Sequence, residues 1–358
     1  MTIMWMNLAA VFMLALAARY FSVPLALPAA MHRHASPNRL IAAAAALTLV
    51  LVAGLRNNIG DTFAYAHSYR TMDFNMLTVL QSRDIGFNLF QMLLKELSDD
   101  PQLLIFVTAL LTNLTIVLVM CRYSKLLEIS LYVYIASGAF TVSMNGMRQY
   151  LTAAIVFAAT KFLMDGSWKR YMAVILFASL FHQSALVLIP IYFVVRRKAW
   201  TGATFALLGI AVLVVAGFNE FQDVLFAALK DTNYGHYKEF SEGGANILRV
   251  IVDAIPLFIA YLGRDKLRQL FPKSDIIVNL SIIGAVLMII ASQNWLFARM
   301  AIYFSLYQMI LISWIILLFR RQDRPLVYLG ILVFYFAFYF YETVITFGLV
   351  YRSDYLIW

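Results

Sequence analysis

Three arginines fall at places that invite chemistry: Arg56 in GLRNNIGDTFAYAHSYR, Arg148 in SMNGMRQY and Arg299 in SQNWLFAR. Each stands at the mouth of a different apolar run. A guanidinium fork pairs with phosphate oxygens two at a time, which an ammonium does not reproduce, so three such forks suit a multidentate anion such as a diphosphate. Snorkelling of the charged head to water is the competing reading for any one of them.

Around the arginines lie groups that could move a proton or hold hydroxyls. Gly60 permits a tight turn before Asp61, and Tyr65 follows Asp61 by four residues, on one face of a helix. Asp61 suits a general base; a helix cap paired with Arg56 is the plainer alternative. Asn145 precedes Arg148 and Gln149 by three and four residues, so all three can share a helical face. His182, in FHQSA between two apolar runs, has the titration range of a base and equally the makings of an interhelical contact. His32 and His34 have no further clustered ligands, and Cys121 is the only cysteine, so neither a metal site nor an intrachain disulfide is expected. No Gly-rich loop ending in Lys-Ser/Thr and no Asp-x-Asp occurs, which argues against an ATP motor and against a metal-held nucleotide-sugar. No cofactor is expected.

The elements that must position these residues are membrane helices. Of 358 residues 63% are hydrophobic and 13% charged, and the mean hydropathy is +0.78, far from a soluble domain. Apolar runs near 3–22, 40–55, 101–121, 127–144, 148–164, 200–217, 247–262, 276–292, 300–319 and 325–347 predict an all-α polytopic bundle with about 10 crossings. The stretch 171–195 reads as a broken-helix hairpin turning at 181–184. With that hairpin, the clusters at Arg33/Arg39, Arg122/Lys125, Lys169/Arg170, Arg196/Arg197/Lys198, Arg264–Lys273 and Arg320–Arg324 all fall on one side, which the positive-inside rule makes cytoplasmic, with both termini outside. The net charge of +9 is then a topology signal, and nucleic acid is not an expected partner. Arg56, Arg148 and Arg299 lie on the outer side, where that rule does not put them. The first apolar run lacks a basic leader and reads as a retained helix.

Residues 1–358 thus form one integral membrane domain with two long outer loops, 56–100 and 219–246. In the first, DIGFNLFQMLLKEL places Phe87, Phe90, Leu94 and Leu97 at helical spacing, predicting an amphipathic outer-face helix near 86–97.

In LRNNIGDTFAY (55–65), RDIGFNLFQMLLKELSDDPQ (83–102), SMNGMRQY (143–150) and FHQSALVLIPIYF (181–193), in that order, the chain resembles the EpsG family of exopolysaccharide proteins, a branch of the Wzy-like repeat-unit polymerases. Beyond residue 200 the resemblance reduces to FARMAIYF (297–304) and the hydropathy pattern. It implies a bacterial plasma-membrane glycosyltransferase, GT-C-like in arrangement. Such an enzyme joins polyprenyl-diphosphate-linked oligosaccharide repeats at the outer face and releases polyprenyl diphosphate. Donor, acceptor and membrane lipids would be its partners, with flippase and chain-length-control proteins of the same pathway. On that reading Arg56, Arg148 and Arg299 hold the diphosphate, Asp61 and then His182 are the candidate catalytic bases, and Tyr65, Asn145 and Gln149 orient the glycan. A lipid-linked glycan flippase, a membrane acyltransferase acting on the polymer and a non-catalytic secretion partner are the alternatives. A flippase ought to show repeat-related halves, which the sequence lacks.

Overall fold

The computed structural model places helices at all ten apolar runs, two of which, 127–144 and 148–164, are each divided between two helices. It describes residues 1–24, 35–219, 221–222, 227 and 243–356; His32, His34 and most of the loop 219–246 lie outside them. The chain divides into two units, 1–189 with 312–358, and 190–311.

The first unit opens with α1 (Thr2–Tyr20) and α2 (Arg39–Gly54), between which Val23–Pro24 and Ala35–Ser36 form a two-residue antiparallel pair. The Asn38 carboxamide caps α2 by accepting from the Leu40 and Ile41 amides. Three short helices follow, α3 (Thr62–Thr71), α4 (Met76–Gln81) and α5 (Ile85–Lys95), and then the long α6 (Pro101–Tyr123). Asp100 caps α6, with Pro101 at its first position, where no N–H is missed. α2 packs on α1 and on α6 through a row of small residues, Ala42, Ala45, Ala46 and Ala53. At Gly54 the approach is so close that a Cβ would stand 2.7 Å from the Phe106 ring. Small residues do this in membranes, where lipid is as apolar as the helices and close packing supplies the attraction.

α7 (Leu127–Ala136) is buried along its whole length. At Gly138, with φ +82°, the path bends by 56° into α8 (Ala139–Asn145). A second break, at Gly146, starts α9 (Met147–Ala158), which packs on α6. α10 (Thr160–Asp165) and α11 (Trp168–Ser179) follow. The segment expected to be interrupted at 181–184 is interrupted there: α11 stops, a 3₁₀ turn covers Gln183–Val187, and α12 (Leu188–Val195) resumes. The unit closes with α18 (Arg324–Phe340), a π-helical turn Tyr341–Thr346 and a C-terminal tail.

The second unit holds α13 (Gly202–Ala216), α14 (Ile247–Leu262), α15 (Arg264–Leu270), α16 (Ser274–Ala291) and most of α17 (Leu296–Ile315). α13 and α14 both pack on α16. Asp275 accepts from the Ala199 amide and Arg268 Nε, and Asn279 donates to the Val195 and Arg197 carbonyls, tying the start of the unit to α16. Pro256 lies inside α14, which continues through it, and Gln308 donates to the Asp253 carbonyl one turn before it.

Among the described residues five helices are long and apolar enough to cross a membrane, and six if the bent pair α7–α8 is one span. The protein is therefore multi-pass. The expected ten crossings are not all of this kind. Residues 40–55 and 200–217 fall on apolar helices of 16 and 15 residues, 148–164 is broken at Ala159, and 247–262 carries Pro256. The amphipathic helix forms and buries Phe87, Gln91 and Leu94. It ends before Leu97, which is 77% exposed where the chain turns towards the Asp100 cap.

Candidate functional site

The four sequence segments 55–65, 83–102, 143–150 and 180–184 meet at one end of the first unit. Gly60 begins the contact. Its φ of +55° is the left-handed conformation that a glycine adopts without strain, and a Cβ there would stand 2.2 Å from Asn145 Oδ1. The close approach lets Asn145 Oδ1 accept the Asp61 amide at 3.0 Å. Asp61 is exposed at the N-terminus of α3, and its carboxylate makes no capping hydrogen bond.

Arg56 goes inward. It is 1% exposed, with Nε donating to Thr62 Oγ1 at 3.0 Å and one terminal nitrogen to the Met144 carbonyl at 2.6 Å. The other terminal nitrogen donates to the Ala53 carbonyl. Its donors thus close the end of α2 and fix the turn that presents Asp61. Burial pulls this guanidinium down to about 10, against the upward push of Tyr351 and Tyr65, so it stays charged at neutral pH. Gln102 braces the same place by donating to the Gly54 carbonyl.

Arg148 differs. It lies in the first turn of α9 with a third of its side chain exposed, and one terminal nitrogen is 2.8 Å from Asp84 Oδ2. Its Nε is buried without an acceptor, and its guanidinium stands 5.9 Å from the centroid of the Phe87 ring. Asp84 is 4% exposed. It precedes α5 without capping it; its other oxygen accepts the Gln183 amide at 3.3 Å. Burial pushes the Asp84 carboxyl up, opposed by Arg148, the Gln183 N–H and Arg83.

The same junction is stitched by Gly86 N–H to the Leu180 carbonyl at 2.8 Å and by Gln183 Nε2 to the Arg83 carbonyl at 3.0 Å. A Cβ on Gly86 would meet Leu180 Cβ at 2.8 Å. His182, 7% exposed, receives the Ser184 amide on Nδ1, with Ser184 Oγ 2.8 Å away. A ring nitrogen that accepts carries no proton, so the neutral ring here has its proton on Nε2. Beneath lies an aromatic floor, Tyr65 against Phe87, Phe87 against Phe90 and Phe90 against Phe181. The C-terminal tail closes one flank: Asn57 donates to Asp354, Asn58 to the Val350 carbonyl, and Tyr351 OH to the Val52 carbonyl.

Asp61, Tyr65, Asn145, Arg148 and His182 are thus brought to one end of one unit. The expected continuous face of Asn145, Arg148 and Gln149 is corrected, because Gly146 breaks the helix between them. Asn145 ends α8, and Gln149 is 4% exposed on α9. Arg299 belongs to the second unit, in the first turn of α17, with its guanidinium 4.5 Å from the centroid of the Trp295 ring. Asp84 and Gln183 are the residues that sequence reading passed over. Asp84 stood in the quoted RDIGF motif, one residue before an amphipathic run, which is where a cap is expected.

A family model described as EpsG matches residues 39–353. No curated protein and no solved structure matches the chain.

Proposed function

The chain belongs to the EpsG family, hence is a Wzy-like membrane polysaccharide polymerase, and from that premise we propose that its donor is a polyprenyl-diphosphate-linked oligosaccharide used at the outer face of the plasma membrane. The observation that carries this reading is Arg148: a guanidinium a third exposed, with a buried Nε lacking an acceptor, at the meeting point of four sequence segments.

In the proposed reaction an acceptor hydroxyl oxygen attacks the anomeric carbon of the donor glycan. The carbon–oxygen bond to the diphosphate breaks, and polyprenyl diphosphate leaves with the electron pair. Negative charge grows on the leaving group, and Arg148 would stabilise it more in the transition state than in the ground state. Arg56, its donors already engaged, contributes its positive charge and the geometry of the 56–62 turn. Asp61, exposed beside that turn, takes the hydroxyl proton; His182 is the second candidate base. Tyr65, Asn145 and Gln149 are assigned to the glycan, Tyr65 as an aromatic edge and the amides through their hydrogen-bonding groups. The GT-C-like arrangement remains part of this proposal.

The test uses purified protein in lipid with a short polyprenyl-diphosphate oligosaccharide. A ladder of longer glycans with free polyprenyl diphosphate, lost in Arg148→Ala, is expected. A substrate that crosses the bilayer unchanged would replace this reading with a flippase.

A further inference from the structure

We propose that the donor's diphosphate displaces Asp84 from Arg148, so that this carboxylate is a built-in competitor which sets how strongly an anion must bind to occupy the site. The inference rests on the reading of Arg148 as a diphosphate ligand and adds to it a residue that sets the affinity threshold of the site.

Asp84 has features a competitor needs. It is intramolecular, nine-tenths buried, and held in place by contacts that do not involve Arg148. Oδ1 receives the Gln183 amide while Oδ2 takes the guanidinium at 2.8 Å. The surrounding backbone is pinned independently by Gly86 to Leu180 and by Gln183 to Arg83. The carboxylate is therefore preorganised, and losing Arg148 does not free its segment. Arg148, conversely, has donors beyond those Asp84 uses: one terminal nitrogen is engaged by Asp84, whereas Nε has no acceptor. A diphosphate, with several oxygens and more than one negative charge, can engage the whole fork; one carboxylate oxygen engages one corner.

The chemistry around such a site makes a competitor useful. A membrane surface is crowded with phospholipid phosphodiesters, each a single negative charge, and a bare arginine fork would bind them. When the competent state of a site is populated to only a fraction f, every ligand's apparent dissociation constant rises by 1/f. A pairing of Arg148 for about nine-tenths of the time would make the penalty roughly tenfold for every anion alike. That common factor leaves the tight ligand bound and pushes the weak one below occupancy.

The experiment measures calorimetric binding of inorganic pyrophosphate and of glycerophosphoglycerol, a soluble phosphodiester, to the full chain in phosphate-free maltoside micelles at pH 7. Wild type, Asp84→Asn, Asp84→Glu and Arg148→Ala are compared, with Asp84→Ser, which keeps an acceptor for Gln183, as the second neutral variant. Displacement predicts that both neutral variants bind both anions more tightly by the same factor, roughly tenfold, that Asp84→Glu stays near wild type, and that Arg148→Ala loses pyrophosphate. A gain clearly larger for pyrophosphate than for the phosphodiester would mean that Asp84 stays in place and repels by charge, which overturns displacement. Unchanged or weaker binding in both neutral variants, with pyrophosphate still lost in Arg148→Ala, overturns the competitor and leaves the diphosphate reading standing. Full pyrophosphate binding by Arg148→Ala overturns both.

Discussion

Gly60→Ala is the perturbation whose cost can be worked out term by term. The backbone at Gly60 has φ +55°, and an L-residue with a Cβ pays about 1–2 kcal/mol to sit there. The new Cβ would stand 2.2 Å from Asn145 Oδ1 and 2.4 Å from its Cγ, so the amide must leave. Its bond to the Asp61 amide goes with it, about 1 kcal/mol. The sum is about 2–3 kcal/mol. Asn145→Ala alone forfeits only the bond, about 1 kcal/mol. In the double variant the amide is already absent, so Gly60→Ala then costs only its backbone term, and the double variant is no less stable than Gly60→Ala. The two changes are therefore sub-additive by about 1 kcal/mol. Thermal unfolding of the four proteins in one detergent measures this cycle. Glycan-ladder formation supplies a second readout, because the turn presents Asp61 and a misplacement of about 1 Å can cost on the order of 10²-fold. Simple additivity, or a Gly60→Ala protein as stable as wild type, would refute the account of this turn.

Arg56→Ala should destabilise the protein by leaving the Thr62 hydroxyl and the Ala53 and Met144 carbonyls without their buried donors, about 1–3 kcal/mol for an orphaned buried acceptor; a lower melting temperature checks it. Arg148→Ala removes the cation that opposes the burial-driven rise of the Asp84 carboxyl. That carboxyl then binds protons more readily folded than unfolded, so the variant loses stability as pH rises from acid through the neutral range. Its deficit against wild type should shrink when melting is measured at pH 5 instead of pH 7. Gly86→Ala must push Leu180 Cβ from 2.8 Å and should weaken the junction of 83–86 with 180–183, seen as faster exchange of the amide at position 86 than in wild type.

The apolar helices were readable because each lies on a long apolar run; the caps that start two of them, Asn38 before α2 and Asp100 before α6, are seen in the structure. The amphipathic helix was readable from Phe87 and Leu94, whose spacing puts both on the buried face. Spacing failed at Gly146, because whether a helix runs through a glycine depends on what packs around it, and here Arg56 reaches in to the Met144 carbonyl just before the break. It failed again for Asp84. A carboxylate before a helix has a local use as a cap, and nothing local in the sequence says that it will instead meet an arginine 64 positions away. Long-range pairing of that kind is a property of the tertiary structure alone.

Arg56 and Arg148 look alike in the sequence, and the reason they behave differently lies in which end of a helix each adjoins. Arg56 follows the last residue of α2 by two positions. A helix C-terminus leaves carbonyls unpaired, and at the rim of an apolar bundle water is a poor substitute. The guanidinium therefore turns back onto Ala53, across to Met144, and is consumed. Arg148 is the second residue of α9. There the unpaired backbone groups are N–H donors and the helix dipole is positive, so the backbone offers a guanidinium no acceptor and repels its charge. An anion suits such an arginine: Asp84 supplies one within the chain, and on the proposed reading a diphosphate supplies one from outside. Arg299 lies in the first turn of α17, whereas Arg56, at a helix C-terminus, builds the frame. Arg148→Lys should accordingly damage polymerisation far more than it damages stability, whereas Arg56→Lys should do the reverse, with glycan ladders and melting temperatures measured on the same preparations.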